Sequence, residues 1–493
     1  MRKSFFLFLL ILIPAFCFAQ AFGFDDYDDE KEKTSFLPFS LEISGEVEAG
    51  PLLFVHDFKG GKSSESFSMW DMLEAGLNFE VNSKYAVFFA GLYFSSSSID
   101  ELRNGEVDNV YTPLIIDELY LGGFFDRLKV YAGFKKLRWG KMFSSGPLDV
   151  INPLDYSDLT SLTEVQEMKI ARPMLHFSLE VADTSTVEAV FIPNFAPHRF
   201  SRNGRWVPDE YTNVASVYAA GILNRAIQRY PAFAPIISGA FSEMSGGFSS
   251  DDYPFPGTTT PDFFQAGLRF NTTLGPCDFG FQYFYGNSFL PSVSMNGVDD
   301  FINDLVSKFP SLTPDFDLLS PHIEYSRYHQ IGVDYSQVVY GFGLRAEVAA
   351  NITGDLSGGD GNVKNPFLAW SLGFDRDIFA GINVNVQCNE TIRLLNDNVG
   401  INPAMDCEAG TDVTSTRLII RISKNFFRDK LECKVVNVWD IEDSGLAIVP
   451  SVAWVLDDTR VELSSGIFSG DEKSEFGQYW QNSYIKLKVS YSF

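Results

Sequence analysis

Residues 483–493 read S-Y-I-K-L-K-V-S-Y-S-F. Ile485, Leu487, Val489, Tyr491 and Phe493 fall on one face of an extended chain, and Tyr484, Lys486, Lys488, Ser490 and Ser492 on the other. A period of two is that of a β-strand with one apolar and one polar side. A strand of a soluble sandwich carries the same alternation, so this stretch alone leaves two architectures open.

The rest of the chain narrows them. Met1, Arg2 and Lys3 precede a nearly continuous apolar run over residues 4–18, with small residues Cys17 and Ala19 placed for cleavage. This predicts a secretory signal peptide over 1–19, since the run is too short for a membrane anchor. Residues 20–35 follow as an acidic leader, expected in the periplasm. Beyond residue 19 no run of 18 apolar residues occurs, so no spanning helix is predicted. A membrane protein built from such a chain has to be a closed barrel, because lipid cannot satisfy open backbone groups.

Composition agrees. The 493 residues carry a net charge of −26, which argues against nucleic acid as a partner. Aromatic residues make up 15%, with 47 Phe and 20 Tyr, as suits a barrel with aromatic belts, though a large sandwich also holds many.

From residue 36 onward one unit recurs: a strand of about ten residues, a short turn, a second strand, then a longer connection. Leu73, Ala75, Leu77, Phe79 and Val81 alternate with Glu74, Asn78 and Glu80; Phe264, Ala266, Leu268 and Phe270 alternate with Gln265, Gly267, Arg269 and Asn271. One strand face is all amide, at Asn383, Asn385, Gln387 and Asn389. The fold class read from this is all-β: a transmembrane antiparallel β-barrel over 36–493, with about eighteen strands (range 14–18), short periplasmic turns and long extracellular loops. The long loops are expected at about 142–172, 193–261 and 286–322. Within the second, residues 213–229 have helical spacing and either fold into the lumen or lie on the surface. The short connection at 440–444 breaks the alternation of short and long. Four cysteines follow the signal region, and Cys388 and Cys407 either pair as a disulfide or stay as free thiols.

A chain that ends on Phe493 with apolar residues alternating back from it resembles the C-terminal signature of bacterial outer-membrane β-barrels. That resemblance implies the bacterial outer membrane as location, lipid outside, and the barrel-assembly machinery as a partner reading Phe493. A second likeness lies in residues 130–156, V-Y-A-G-F-K-K-L-R-W-G-K-M-F-S-S-G-P-L-D-V-I-N-P-L-D-Y. Trp139, Gly140, Lys141, Asn152, Pro153 and Asp155 resemble a Trp-Gly-Lys and Asn-Pro-x-Asp segment in a broad family of porin-like outer-membrane barrels of poorly defined function. Residues 192–199, I-P-N-F-A-P-H-R, and 117–120, D-E-L-Y, resemble two further segments of that family. The resemblance implies fold and location more than substrate; its members are regarded as porin-like or as carriers of hydrophobic compounds.

The candidate site residues are the charges of the inward faces. Glu42, Glu46 and Glu74 from the first strands, with Arg138, Lys141, Arg269, Arg345, Glu347, Arg417 and Arg421, are expected to line the lumen, where opposed acidic and basic walls select polar solutes. Arg138 and Lys141 would bring positive charge to a constriction, or the Trp-Gly and Asn-Pro elements are simply structural. Lys486 and Lys488 are expected at the barrel seam, facing glutamates of the first strand. The five histidines show no ligand spacing, and no nucleotide-binding or nucleophile motif occurs, so no cofactor, metal or catalytic role is expected. The function expected is a porin-like channel passing small solutes. The alternatives are a carrier of hydrophobic ligands and an adhesin that uses the barrel as an anchor. The oligomeric state, monomer or trimer, stays open.

Overall fold

The computed structural model describes residues 39–56, 67–68, 73–95, 116–201, 204–209, 227, 231, 235, 257–294, 303–304, 307–308, 322–401 and 406–493. The expected signal peptide, acidic leader and nearly all of the helical stretch 213–229 lie outside these residues. The compact unit Leu41–Phe493 holds the barrel.

The wall is built from β1 (Phe39–Ala49), β2 (Glu74–Ser83), β3 (Ala86–Ser95), β4 (Ile116–Phe125), β5 (Leu128–Lys135) and β6 (Arg172–Ala182). It continues with β7 (Ser185–Ile192), β8 (Gln265–Leu274), β9 (Cys277–Asn287), β10 (Arg327–Val339), β11 (Phe342–Thr353) and β12 (Phe367–Asp377). It closes through β13 (Asn383–Arg393), β14 (Thr414–Phe426), β15 (Leu431–Asp440), β16 (Gly445–Leu456), β17 (Thr459–Ser469) and β18 (Tyr484–Ser492). Two short pieces, Leu52–Phe54 and Phe67–Ser68, continue β1 and lead into β2. Every neighbouring pair in the wall for which a register is given is antiparallel, and β1 pairs with β18, so the sheet is a closed barrel of eighteen strands.

Closure is local and specific. Glu46, Val47, Glu48 and Ala49 stand opposite Ser492, Tyr491, Ser490 and Val489. Gly45 and Phe493 then exchange both backbone hydrogen bonds at 2.9 Å. Gly45 has no side chain for a reason: a Cβ there would come within 2.6 Å of the Phe493 ring.

The faces follow the period-two rule. On β18, Ile485, Leu487, Val489 and Tyr491 are exposed on the outer surface, while Lys486 and Ser490 are buried within. On β10, Ile331 and Val333 point out, and Gln330 and Asp334 are buried inside. Exposed Leu175, Phe177, Leu179 and Val181 make the same outer face on β6. A continuous apolar exterior around a polar interior is the inverse of a soluble protein, and it is the arrangement a barrel needs in lipid.

Hairpin turns such as residues 126–127, 183–184, 275–276 and 340–341 join strands at one end, and long connections join them at the other. The short link 441–444 between β15 and β16 sits at the long-connection end, so the exception seen in the sequence is a real tight turn between two wall strands. Among the described residues Cys277, Cys388, Cys407 and Cys433 are all free thiols, so Cys388 and Cys407 do not pair. Cys388 sits within the wall on β13, whereas Cys407 belongs to the connection after it.

β5 ends at Lys135, four residues short of Trp139. Glu118 on β4 accepts the Lys136 N–H at 2.6 Å, and Lys136 forms an ion pair with Asp117. A side chain thus replaces the strand partner, and the backbone leaves the wall.

Candidate functional site

Residues 136–171, between β5 and β6, turn inward and pack along the inner wall. Several of their backbone polar groups are met by inward-facing side chains of strands far away in sequence. Glu347 on β11 accepts the N–H groups of Lys141, of Met142 at 3.0 Å and of Leu148 at 3.3 Å. Gln282 on β9 donates to the Leu148 carbonyl at 3.0 Å, and Gln330 on β10 to the Pro147 carbonyl at 3.0 Å. Gln387 and Asn389 on β13 donate to the Ser145 carbonyl at 2.9 and 3.2 Å. Four of five consecutive wall strands, β9, β10, β11 and β13, therefore hold a single turn of chain.

Charge completes the attachment. Lys141 reaches Asp334 on β10 at 3.3 Å, and Asp334 also pairs with Arg269 on β8. Arg269 donates further to Gln282 at 2.7 Å and Asn271 at 2.8 Å, so its guanidinium is enclosed by acceptors. Inside the segment Lys169 pairs with Asp149 at 2.7 Å, both almost fully buried. Burial pushes the Asp149 carboxyl above the usual carboxylate range and the Lys169 ammonium below the usual lysine value. Their mutual attraction opposes both shifts without cancelling them.

Apolar packing adds to this. Trp139, Ile151, Met174, Val190, Ile192, Phe284 and Tyr328 form one buried cluster between segment and wall. Gly267 makes room for the Trp139 indole, since a Cβ there would lie 2.6 Å from the ring. The indole N–H donates to Glu188 at 3.3 Å. Burying a side chain of this size contributes roughly 2–3 kcal/mol.

The motif segments seen in the sequence meet here. Asn152 accepts from the Leu137 N–H at 2.8 Å and donates to the Lys135 and Ile170 carbonyls at 3.0 and 2.9 Å, pinning the start and end of the segment together. Asp155 and Tyr156 pair in parallel with Arg199 and Phe200. His198 accepts the Leu154 N–H at 2.9 Å through Nδ1, and burial lowers its pKa to about 3, which keeps the ring neutral. The 192–199 stretch is therefore the dock for the Asn-Pro-Leu-Asp turn.

Beyond residue 158 the segment reaches the β15–β18 side of the interior. Tyr484 on β18 donates to the Thr160 carbonyl at 3.0 Å, and Lys486 to the same oxygen at 3.5 Å. Lys434 on β15 pairs with Glu164 at 2.6 Å. Leu159 joins a second buried cluster with Trp206, Ile419, Phe468, Tyr479 and Tyr484.

The expected site residues separate into groups. Glu347 and Arg269 face inward but are almost fully buried, so the expectation that they line open lumen is corrected: Glu347 anchors the segment, and Arg269 braces Asp334 and Gln282, which anchor it too. Lys141 pairs with Asp334, and Arg138 beside it is exposed. Arg345 pairs with Asp375, and Arg417 with Glu475. Glu42 and Glu46 are exposed, while Glu74 and Arg421 are half-buried on the wall. Lys488 meets Glu48 across the seam at 2.8 Å, whereas Lys486 turns to the inserted segment. The opposed acidic and basic walls are muted, because Lys434, Arg417, Lys488 and Arg460 each carry a carboxylate partner.

Sequence reasoning missed Asp334, Gln282 and Gln330 as anchors. A signal existed: inward positions at Val190, Ile192, Ile419 and Val436 are apolar, which a water-filled wall does not require. The helical stretch 213–229, expected either in the lumen or on the surface, lies almost wholly outside the described residues, and among these it is 136–171 that turns inside the barrel.

The family model described as "Protein of unknown function (DUF1302)" matches residues 52–395, and the chain belongs to that family. A comparison with curated proteins finds no match. Among solved structures the chain is similar to a BenF-like porin from Pseudomonas fluorescens Pf-5, with TM-score 0.44 and 8% identity over 93% of this chain and 99% of that one. It is also similar to Pseudomonas aeruginosa OccK9 (OpdG), with TM-score 0.43 and 10% identity over 92% and 98%. A third likeness is to Salmonella typhi OmpF in complex with daunomycin, with TM-score 0.38 and 7% identity over 92% and 98%. Likenesses of this size carry no information about substrate.

Proposed function

We propose that this member of the DUF1302 family is a porin-like channel of the bacterial outer membrane that lets small solutes pass passively through a barrel narrowed by residues 136–171. The observation that carries the reading is one arrangement: a closed eighteen-stranded wall, apolar outside, whose interior holds a segment of its own chain fixed by side chains from β9 to β18. An apolar belt around the whole wall calls for a lipid surround. A fixed internal segment restricts passage by size and by the polar groups it leaves facing water. The anchors run from β9 round to β18, so the charges left to meet a passing solute include the half-buried Glu74 and Arg421 and the exposed Glu42, Glu46 and Arg138.

Assembly by recognition of Phe493 and an orientation with the short turns and both termini in the periplasm belong to the same proposal. Purified protein refolded into a planar bilayer tests it. Discrete, voltage-stable current steps are expected; a membrane that stays electrically tight with folded protein present would overturn the channel reading.

A further inference from the structure

Beside the turn 145–147 the interior is hollow. A cavity of about 400 Å³ is bordered by Ser145, Gly146 and Pro147 of the inserted segment, by residues of β10 to β14, and by Phe289 and Lys364 from the long connections. The turn is fixed in place, because Gln330 holds the Pro147 carbonyl and Asn389 the Ser145 carbonyl. Ala369, Thr391 and Ser415 stand side by side across β12, β13 and β14. Three short inward side chains in a row leave a space that the turn does not fill.

The lining is polar without unbalanced charge. Thr391 and Ser415 are exposed on the inward face, so their hydroxyls meet whatever occupies the space. Thr353 borders the cavity from β11; it is buried, and its hydroxyl has no hydrogen-bond partner among the described residues. A buried hydroxyl left unpaired is costly, and a polar occupant removes that cost. The Asn351 amide gives its oxygen to Gln330 at 2.9 Å and keeps its N–H groups for another acceptor. Two cations border the space. Arg417 is paired with Glu475, and Lys364 lies near enough to Glu408 to favour its carboxylate. The bordering carboxylate among the described residues, Glu390, sits at an outward position of β13, opposite Trp370.

Aromatic faces complete the lining. Tyr328 stands opposite Thr353 across the β10–β11 ladder, and Phe367 opposite Asn351 across β11–β12, so each ring has a hydrogen-bonding group beside it. Phe289 is steadied by Phe195, stacked at 5.9 Å, and by the His198 ring at 4.7 Å.

We infer that this cavity is a binding site for an uncharged polyhydroxylated ring, a mono- or disaccharide, occupied as the solute crosses the barrel. The inference rests on the channel reading above. A sugar ring matches the lining: its C–H faces lie against aromatic rings, and its rim of hydroxyls both donates to and accepts from hydroxyl and amide groups. An inorganic ion would leave the rings unused and meet no unbalanced charge. The volume falls in the range of roughly 300–1,000 Å³ typical of small-ligand sites. Hydrogen-bonding groups that line a passage select solutes in this way, and a site built to bond hydroxyls discriminates against molecules that lack them.

The test is saturation-transfer difference NMR on the folded full chain, in micelles of a detergent without a sugar head, which reads binding independently of current. D-glucose is the probe and D-glucuronate the charged comparison. Glucose should give a signal at its ring C–H protons that saturates with concentration. Phe367→Ala and Thr391→Val should each weaken half-saturation by about fivefold, the loss that follows from one ring face or one hydrogen bond. Thr391→Val keeps the side-chain shape, and heat-modifiable migration on gels confirms folding of each variant. A glucose signal that is absent, unsaturable or untouched by both substitutions would overturn the site. Glucuronate binding more tightly than glucose, with the excess lost in Lys364→Gln, would overturn it in favour of an anion site. Current steps recorded on the same preparations keep the two readings apart. Saturable glucose binding in protein that carries no current would sink the channel and leave the site, whereas current steps without binding would sink the site alone.

Discussion

The Leu148 N–H donates to the Glu347 carboxylate at 3.3 Å across 199 positions of sequence. Glu347 also accepts from two further backbone groups of the same turn, and it is almost fully buried. A hydrogen bond to a charged group contributes about 1.5–3 kcal/mol, so this one side chain supplies several kcal/mol of attachment. Glu347→Ala leaves three N–H groups without their acceptor and should release the turn 141–148. The expected outcome is a larger and noisier single-channel conductance together with new protease cleavage within 136–171. Unchanged conductance and protection would show that the segment is held without Glu347.

The buried pair Lys169–Asp149 makes a sharper demand. Removing one partner strands a buried charge, at a cost of about 3–5 kcal/mol. Lys169→Met should therefore lower stability by that order, whereas Lys169→Met combined with Asp149→Leu should recover most of it, since an apolar pair of similar volume has no charge to desolvate. Unfolding midpoints in detergent measure both, and a double variant no better than the single one would contradict the pairing.

His198 predicts a dependence on pH. Its folded pKa is depressed to about 3 by burial, against an ordinary value near 6.5. The undocked ring binds a proton that the docked ring refuses, so the contribution of the dock is whole above about pH 6.5. It is lost as pH falls from there toward 3, by roughly 1.4 kcal/mol per unit. Acidification through this window should loosen the 154–156 to 198–200 contact, read as rising conductance or faster hydrogen exchange at Leu154. His198→Gln, which keeps an acceptor but does not titrate, should flatten the response.

Lys488 and Glu48 form the seam pair, each mostly but not fully buried. Lys488→Glu sets like charges across the closing strands and should reduce the folded, heat-modifiable fraction; Glu48→Lys added to it should restore assembly. A Lys488→Glu barrel that folds normally and changes only its ion selectivity would mean that this lysine belongs to the pore.

On the outer face Leu268 is 55% exposed on β8. Leu268→Arg should cost about 2–4 kcal/mol in a bilayer if the position lies near its midplane. The same change should be nearly neutral in a detergent micelle that deforms around the charge. Equal stability in both would argue that this face does not meet lipid.

The wall was legible because each strand announces its faces locally. The amide face at Asn383, Asn385, Gln387 and Asn389 was visible as a pattern, and two of its members proved to hold Ser145. What the pattern lacked was their target. Glu347 and Arg269 look in sequence like any inward charge of a pore, and nothing within their own strands says that a turn of distant chain covers them.

The sequence by itself therefore determined that this chain alternates, roughly how many strands it can supply, which side of each strand is apolar, and that the last strand ends in a seam. Those properties depend on a period of two and on turns of a few residues. Only the tertiary structure decided that 136–171 lies inside and that its anchors come from β9 to β18. These outcomes depend on which unsatisfied backbone groups and which inward side chains closure of the barrel brings within about 3 Å of one another, a distance that local pattern does not encode.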